Sequence, residues 1–573
     1  MAFLDPRAGD LEDDASSTTR HTLLGHASRM LVEISLPKLA LAVLLLVALP
    51  ALLLGAAPKL GFWFTEAVWR QVADAGKALA IAVTLLALGL VAWRWGARLF
   101  RGLEANFWAL NGGLVQPLHM IAREVVRAAL ERLVPPERLP LVRRRAGLLA
   151  GGLLALAAGG AALWLGPLPG FSREPPSLAA LPGAAREALR NGLWFVCAYL
   201  AIAAPAWAIA EARTGQPETL PPPPQEEEEA AARWRVAHLS DIHVVGEPYG
   251  FRLESGRDGP RGNGRFARLL TALAEADAAA PLDWVLVSGD ITDAGRNAEF
   301  IAFEAALAAH PALAAKTLII PGNHDVNIVD RANPARLELP ISPGGALRRV
   351  RFLGAAARLQ GARVRLATPG GLGPSLAAFL AAEGRSAALE RFTDRGGLRA
   401  ARAARAICEA CFPQVVPPAT PEGLGVLLLD SNAATSFSFT NALGLVSLAQ
   451  LRAAEAAMAA FPAARWLVVL HHHLIEYPQP GAPLADRIGT ALVNGAWLLG
   501  RLRRQAPRLV VLHGHRHRDW MGACGGVRIL SAPSPVMGGR DDTPRHVWLH
   551  RLAPAPDGRL ALLAPVRMDV PGG

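Results

Sequence analysis

Four stretches almost free of charge fall within the first 213 residues, and no other feature constrains the fold of this chain as strongly. They run from Leu39 to Ala57, Ala78 to Trp93, Ala146 to Pro169 and Asn191 to Ala210. A helix needs about 20 apolar residues, and no fewer than about 17, to cross the hydrocarbon of a bilayer. Three stretches reach that length unaided. The second, with 16 residues, must recruit its flanks: Arg94 reaching back to the headgroups, Trp93 and Trp95 at the interface. Read instead as buried core helices, the four would leave almost nothing polar to cover them. The expectation is a four-helix transmembrane region over residues 37–213, preceded by a cytoplasmic tail over 1–36. Composition agrees, since 52% of the 573 residues are hydrophobic and 19% charged, with a positive mean hydropathy that an average soluble domain does not show.

Arginine sets the expected orientation. The connection between the second and third stretches holds ten arginines, among them Arg143, Arg144 and Arg145, against four acids. Basic loops stay on the cytoplasmic side, so both termini are expected in the cytoplasm and the protein in the cell (inner) membrane, multi-pass. The N-terminus carries Asp10, Glu12, Asp13 and Asp14 before any apolar run, unlike a cleaved signal peptide. Inside the loop over 101–145, Leu118, Ile121, Ala122, Val125, Val126, Ala129, Leu130 and Leu133 recur at helical spacing, with Arg123, Arg127 and Arg132 elsewhere on the wheel. Such an amphipathic helix either lies on the inner leaflet or packs on a neighbouring domain. The net charge of +11 is spread along the chain, with only four lysines among 59 basic residues and no basic block interleaved with aromatics. Nucleic acid is therefore not an expected partner. Four cysteines cannot staple a chain of this length, which fits a reducing compartment.

A proline run, Pro221 to Pro224, precedes Gln225 and the glutamates Glu226 to Glu229. Stiff and then solvated, residues 214–231 read as a spacer between the membrane region and a second domain over 232–573. There the pattern changes to short apolar runs: Trp234 to Leu239, Trp284 to Val287, Thr317 to Ile320, Val426 to Leu429, Trp466 to Leu470 and Leu509 to Leu512. Alanine-rich helical stretches alternate with them, as in an α/β domain, where ligands collect at the carboxyl ends of strands.

Five of these runs lead directly into clusters of Asp, Asn or His: Asp241-Ile-His243, Gly289-Asp290-Ile-Thr-Asp293, Gly322-Asn323-His324-Asp325, His471-His472-His473 and Gly514-His515-Arg-His517. Twelve of the fifteen histidines follow the spacer and seven of those lie in the clusters, a bias that core packing does not explain. Imidazole and carboxylate together suit Zn, Mn or Fe. A carboxylate can bridge two ions, and an Asn oxygen adds a ligand without charge, so the inventory describes a two-metal hydrolytic site.

The order of the clusters resembles the calcineurin-like metallophosphoesterase superfamily, with its Asp-x-His, Gly-Asp-x-x-Asp, Gly-Asn-His-Asp, His and Gly-His-x-His pattern. Within it the chain looks most like the bacterial class III cyclic-nucleotide phosphodiesterase and glycerophosphodiesterase branch. Leu429-Asp430-Ser431 and Gly444-Leu-Val-Ser-Leu-Ala-Gln450 also resemble that branch. The likeness covers roughly 232–535 and leaves out the membrane half. It implies an αββα sandwich of two mixed sheets flanked by helices. It also implies two metal ions: Asp241, His243, Asp290 and His517 around the first, and Asp290 as bridge with Asn323, His471 and His515 around the second. His324 would be the catalytic acid, or would steady the phosphoryl charge. The reaction implied is hydrolysis of a phosphomonoester or phosphodiester by a metal-bound hydroxide, with the active site facing the cytoplasm. The substrate would be a nucleotide or lipid-derived phosphate ester. A reading of another class is a membrane sensor or scaffold using an inactive phosphoesterase fold as a binding module, though a degenerate enzyme should have lost ligands.

Other positions carry plainer expectations. His-His-Pro is usual in the family where this chain has three histidines, so His471 is favoured as ligand and His472 kept as the alternative. Asp293, Asp325 and Asp430 read as structural hydrogen bonders, His238 as packed away from Asp241, and His473 and His513 as neighbours of the site or exposed. Cys408 and Cys411, a lone CxxC, read as core. The insert from about Asn327 to Gly425 is expected to cap the site, with Arg336, Arg348, Arg349 and Arg351 either binding an anionic group or coating a surface.

Overall fold

A computed structural model describes residues 36–44, 48–57, 61, 66, 111–135, 138–166, 181–221, 232–246, 251–252, 257–258, 261–327, 337–339, 342–435, 440–478, 488–536 and 545–570. Outside them lie the N-terminal tail, the second apolar run, the Pro/Glu tract after residue 221 and Arg336. The chain divides into two compact units, Ser35–Arg213 and Thr214–Gly573.

The first unit is helical. The first apolar run contributes α1 (Leu36–Val43) and helical backbone over 48–57. The arginine-rich loop forms α2 (Gln116–Glu131), with Pro117 in the first turn where its missing N–H costs nothing. The third and fourth runs form α3 (Leu139–Leu165) and α4 (Leu181–Ala212). Small residues let these helices approach closely: a β-carbon on Gly192 of α4 would collide with the Ala51 backbone, and one on Gly151 of α3 would lie 2.5 Å from the Ala208 methyl. Among the described residues two helical segments are long and apolar enough to cross a membrane, Arg145–Leu165 and Pro182–Ala212. Their apolar windows are 17% and 22% buried within the molecule.

The second unit is built on two sheets. In chain order its strands are β1 (Pro217–Thr219), β2 (Trp234–Leu239), the two-residue β3 (Phe251–Arg252) and β4 (Arg257–Asp258), β5 (Trp284–Val287) and β6 (Thr317–Ile319). The insert supplies β7 (Arg365–Thr368), β8 (Gly371–Ser375) and β9 (Gln414–Val416). There follow β10 (Leu424–Leu428), β11 (Arg465–Val469), β12 (Leu509–His513), β13 (Trp520–Cys524), β14 (Val527–Ser531), β15 (Arg545–Pro554), β16 (Leu560–Leu562) and β17 (Val566–Val570). Nine strands form one sheet in the order β1-β13-β14-β12-β11-β10-β9-β7-β8, and the other runs β16-β15-β2-β5-β6 with β17 also on β15. Both are mixed: β10, β11, β12 and β14 pair in parallel in one, as do β2, β5 and β6 in the other.

Alternation along the strands builds three apolar layers. Val236, Leu286, Leu318, Val426, Leu467, Val469, Val510 and Leu512 meet between the sheets. On the outer face of the smaller sheet, Ala237, Val285, Val287 and Ile319 receive Phe266 and Leu270 of α5 (Arg261–Ala279), Phe300 and Phe303 of α6 (Asn297–Ala308), and Phe352 of α8 (Pro343–Gln360). The single turn α7 (Asn323–Val326) lies between α6 and α8 in the chain. On the outer face of the larger sheet, Leu427, Val468 and Val511 receive Leu451 and Ala454 of α12 (Leu448–Ala459) and Leu498 and Leu499 of α13 (Gly495–Leu502). The result is an αββα sandwich.

Two segments differ from expectation. The insert is not a separate cap: β7, β8 and β9 extend the larger sheet, and its helices α9 (Leu376–Ala381), α10 (Arg385–Arg395) and α11 (Leu398–Ala410) pack around α8. Three of its arginines are engaged by protein groups, Arg348 with Glu338 at 2.6 Å, Arg349 with Asp430 at 2.7 Å, and Arg351 donating to the Gly295 carbonyl. In the supposed spacer, Pro217–Thr219 join the sheet edge as β1, and the Trp520 indole N–H donates to the Thr219 hydroxyl.

Candidate metal centre

Five motif residues stand on backbone that L-amino acids avoid: Asp241 (φ 56°), His243 (48°), Asp290 (50°), His515 (72°) and His517 (49°). Among the described residues the sixth such position is Glu383, on the surface. Each lies just past the carboxyl end of β2, β5 or β12, where a left-handed turn swings the side chain over the sheet end. Gly289, at φ 98°, allows the approach of the two sheets here, since a β-carbon on it would lie 2.5 Å from His471 Nδ1.

The side chains gather in two clusters that share Asp290. In the first, His517 Nε2 lies 3.3 Å from Asp241 Oδ1 and 3.3 Å from His243 Nε2, and His243 Nε2 lies 3.9 Å from Asp290 Oδ2. In the second, His471 Nε2 lies 3.3 Å from the same Asp290 Oδ2 and 3.1 Å from Asn323 Oδ1, and His515 Nδ1 is 3.0 Å from Asn323 Oδ1 and 3.1 Å from His471 Nε2. Asp290 Oδ1 is occupied by the His324 backbone N–H, which leaves Oδ2 facing both clusters.

The outer nitrogens fix which way the lone pairs point. His471 Nδ1 is 2.8 Å from the Ser288 carbonyl and His515 Nε2 is 3.0 Å from the Thr490 carbonyl; a carbonyl only accepts, so each of these nitrogens carries a proton. In the neutral rings His471 Nε2 and His515 Nδ1 then turn lone pairs toward the oxygens of Asp290 and Asn323. Acceptors facing acceptors at about 3 Å repel unless a proton or cation lies between them. A proton can serve: burial disfavours the His471 imidazolium, but the Asp290 carboxylate overrides it and pushes the pKa up to about 9. The donor set also fits metal cations, being mixed imidazole and carboxylate gathered in groups of three, with second partners orienting the rings.

Other motif residues support this frame. Asp325 accepts from the backbone N–H groups of Gly322, Ile291 and Thr292 and from the Thr292 hydroxyl, stapling the loop after β5 to α7. Burial, then the neighbouring Asp290, push its pKa up to about 6. Asp293 stands 3.5 Å behind His243 Nδ1. His324 Nδ1 donates to the Asp293 carbonyl at 2.6 Å, and its ring meets that of His243 edge-on with centroids 4.6 Å apart. His472, left open beside His471, turns its Nδ1 to the Ser431 hydroxyl at 2.9 Å. His473 pairs with Glu476, His513 with the Gly514 carbonyl, and His238 with the Ser288 hydroxyl. Asp430 is taken up by Arg349, Asn432 and its own backbone turn. Cys408 and Cys411 are buried, and burial pushes both thiols up. Thr490 and the Ser288 carbonyl carry no sequence signal: one lies in no motif and the other acts through its backbone.

Residues 235–377, which hold the first three motifs, match the sequence profile of the calcineurin-like phosphoesterase family. The C-terminal unit carries a calcineurin-like phosphoesterase domain. Solved structures similar to the chain include a dimetal phosphatase from Danio rerio (12% identity, 59% of this chain and 100% of that one, TM-score 0.33). Another is a putative 5'-nucleotidase from Staphylococcus aureus in complex with alpha-ketoglutarate (12%, 59% and 54%, 0.30). A third is a Thermus thermophilus sulfate thiohydrolase in complex with glycerol (12%, 62% and 58%, 0.29). The last two alignments span just over half of those chains. No curated protein matches. The phosphoesterase domain places its remaining ligand candidates, His471, His515 and His517, beyond the matched stretch.

Proposed function

We propose that the chain is a membrane-anchored, two-metal phosphoesterase that hydrolyses phosphomonoesters or phosphodiesters, with its active site facing the cytoplasm. The observation that carries this reading is the sharing of Asp290 Oδ2 between two clusters of inward-facing donors. Asp241, His243, Asp290 and His517 would hold one ion, and Asp290, Asn323, His471 and His515 the other. The chemistry such ions supply when bound is electrostatic: they acidify water and offset the charge of a phosphoryl group. The remaining work belongs to side chains of the domain. His324 is held by its Nδ1–H on the Asp293 carbonyl, so Nε2 is the atom that exchanges a proton with the leaving oxygen. Asp325 keeps the loops of Asp290 and Asn323 in register, and Asp293 sets the His243 ring. The substrate is a phosphate ester, soluble like a nucleotide or drawn from lipid. Supporting the anchor are the long, apolar and outwardly exposed helices α3 and α4.

The test uses the full chain in detergent, loaded with Mn, Fe or Zn and assayed on bis-p-nitrophenyl phosphate and p-nitrophenyl phosphate, with Asp290→Ala as control. Metal-dependent hydrolysis that disappears in the control is expected. Turnover unchanged by Asp290→Ala would sink the site.

A further inference from the structure

Helix α2 is inverted relative to a helix on a water-soluble domain. Its buried positions are Gln116, His119, Met120 and Glu124, three polar residues among four. Its exposed positions are apolar: Leu118 at 36%, Ile121 at 39% and Val125 at 47%, followed by Ala129. Steps of three and four residues put these on one stripe. The polar face is fastened inward. His119 Nδ1 lies 3.3 Å from Glu211 Oε2 near the end of α4, and its Nε2 lies 3.1 Å from the Gly147 carbonyl of α3. Arg123 binds both Glu211 and Glu124, and Arg127 reaches Glu124 at 2.9 Å.

Water would drive such a helix the other way round, apolar stripe inward and charges outward. Hydrocarbon selects what is seen, because there an unpaired charge is costly while an apolar face has nothing to avoid. The helix that α2 packs on has the same character: α3 exposes Leu149 at 50%, Leu153 at 56% and Leu156 at 75%. Apolar exterior therefore extends from one helix to the other within a single compact unit.

We propose that α2 lies in the bilayer, with Leu118, Ile121, Val125 and Ala129 against lipid acyl chains and its charges paired to Glu211 and within the helix. The occupant of the stripe is lipid, not a soluble domain or a second copy. This rests on the reading of α3 as a membrane span, and the experiment separates the two. Single cysteines are placed by Ile121→Cys, Val125→Cys, Leu156→Cys and Arg559→Cys in the full chain, spin-labelled and reconstituted in phosphatidylcholine–phosphatidylglycerol vesicles. All four native cysteines are buried, and the labelled parent sets the background. Collisions with oxygen and with a water-soluble nickel chelate are then compared. Labels at 121 and 125 are expected to favour oxygen several-fold, as at 156, whereas 559, on an arginine 67% exposed in the phosphoesterase domain, favours nickel. Nickel access at 121 and 125 with oxygen preference at 156 overturns the placement of α2 alone. Shielding of 121 and 125 from both reagents overturns the lipid occupant in favour of protein. Nickel access at 156 as well overturns the membrane span itself.

Discussion

A non-glycine residue held at positive φ costs of order 1–3 kcal/mol and persists only where its surroundings over-determine it. Asp241, His243, Asp290, His515 and His517 all carry that cost, and the partners that hold them are visible: Asp241 accepts from the His515 N–H, its carbonyl accepts from Ser534, and Asp290 accepts from the His324 N–H. The backbone itself therefore arranges the donors. This separates the roles of two neighbouring residues. Asp290 faces both clusters, so Asp290→Ala should abolish turnover and lower the content of both metals. His324 stands beside them, so His324→Ala should slow turnover by ~10²-fold or more and leave metal content near normal. Metal analysis alongside kcat decides the matter, and equal metal loss in the two variants would refute the division. The ligand candidates were legible in the sequence because short Asp, Asn and His motifs follow apolar runs that became β2, β5, β6, β11 and β12. Between His471, favoured in the sequence, and His472, kept as the alternative, the turn after β11 makes the difference by aiming the first ring at Asp290 and the second at Ser431.

At the scale of elements, the smaller sheet ends at β6, whose outer edge would present unpaired backbone to a buried space. Gln360, at the last turn of α8, closes it. Its Oε1 accepts from the Ile319 N–H at 2.7 Å, and its Nε2 donates to the Ile319 carbonyl and to Gln414 Oε1 on β9 of the other sheet. One amide thus stands in for a missing strand and ties the two sheets together. Gln360→Leu would leave three buried polar atoms without partners, at about 1–3 kcal/mol each before relaxation. A loss of ~3 kcal/mol is expected, seen as a Tm lower by about 3–6 °C, and an unchanged Tm in calorimetry would show that β6 needs no such closure. Nothing in the sequence pointed to this. The insert is alanine-rich and its strands are three to five residues long, too short for alternation to declare them, so it read as a cap when it is part of the sheet. The polar tripeptide of β1 was hidden in the same way. Helix α2 shows the complementary limit: its periodicity was plain, but which face turns inward depends on the solvent, which periodicity does not encode.

Over the whole molecule, two properties follow from where charge is allowed. Between the sheets His238 and His550 face each other with ring centroids 5.7 Å apart, and His238 Nδ1 and His550 Nε2 have no hydrogen-bond partner among the described residues. Burial pushes the His550 pKa down to about 4 from its ordinary 6.5, with Asp519 opposing. Below pH 6.5 the unfolded chain therefore binds a proton that the folded one refuses, so stability falls as pH falls and the loss levels off near pH 4. For this residue the loss is at most ~3 kcal/mol. The drop in urea midpoint between pH 7.5 and 5 should be smaller in His550→Gln than in the parent, and equal drops would dismiss the effect. Charge also gives the proposed anchor an expected topology. Arg143, Arg144 and Arg145 precede the apolar part of α3, and basic residues beside a span stay in the cytoplasm. If α3 then leaves the cytoplasm and α4 returns, Glu211 and Arg213 emerge on the side where the arginines began, and the phosphoesterase domain follows them. Only the two apolar helices α3 and α4 enter this expectation. A reporter fused after Gly573 should be active when it is one that works only in the cytoplasm and silent when it is one that works only outside. The opposite pattern would put the metal centre on the other face of the membrane, and with it the pool of phosphate esters that the site could reach.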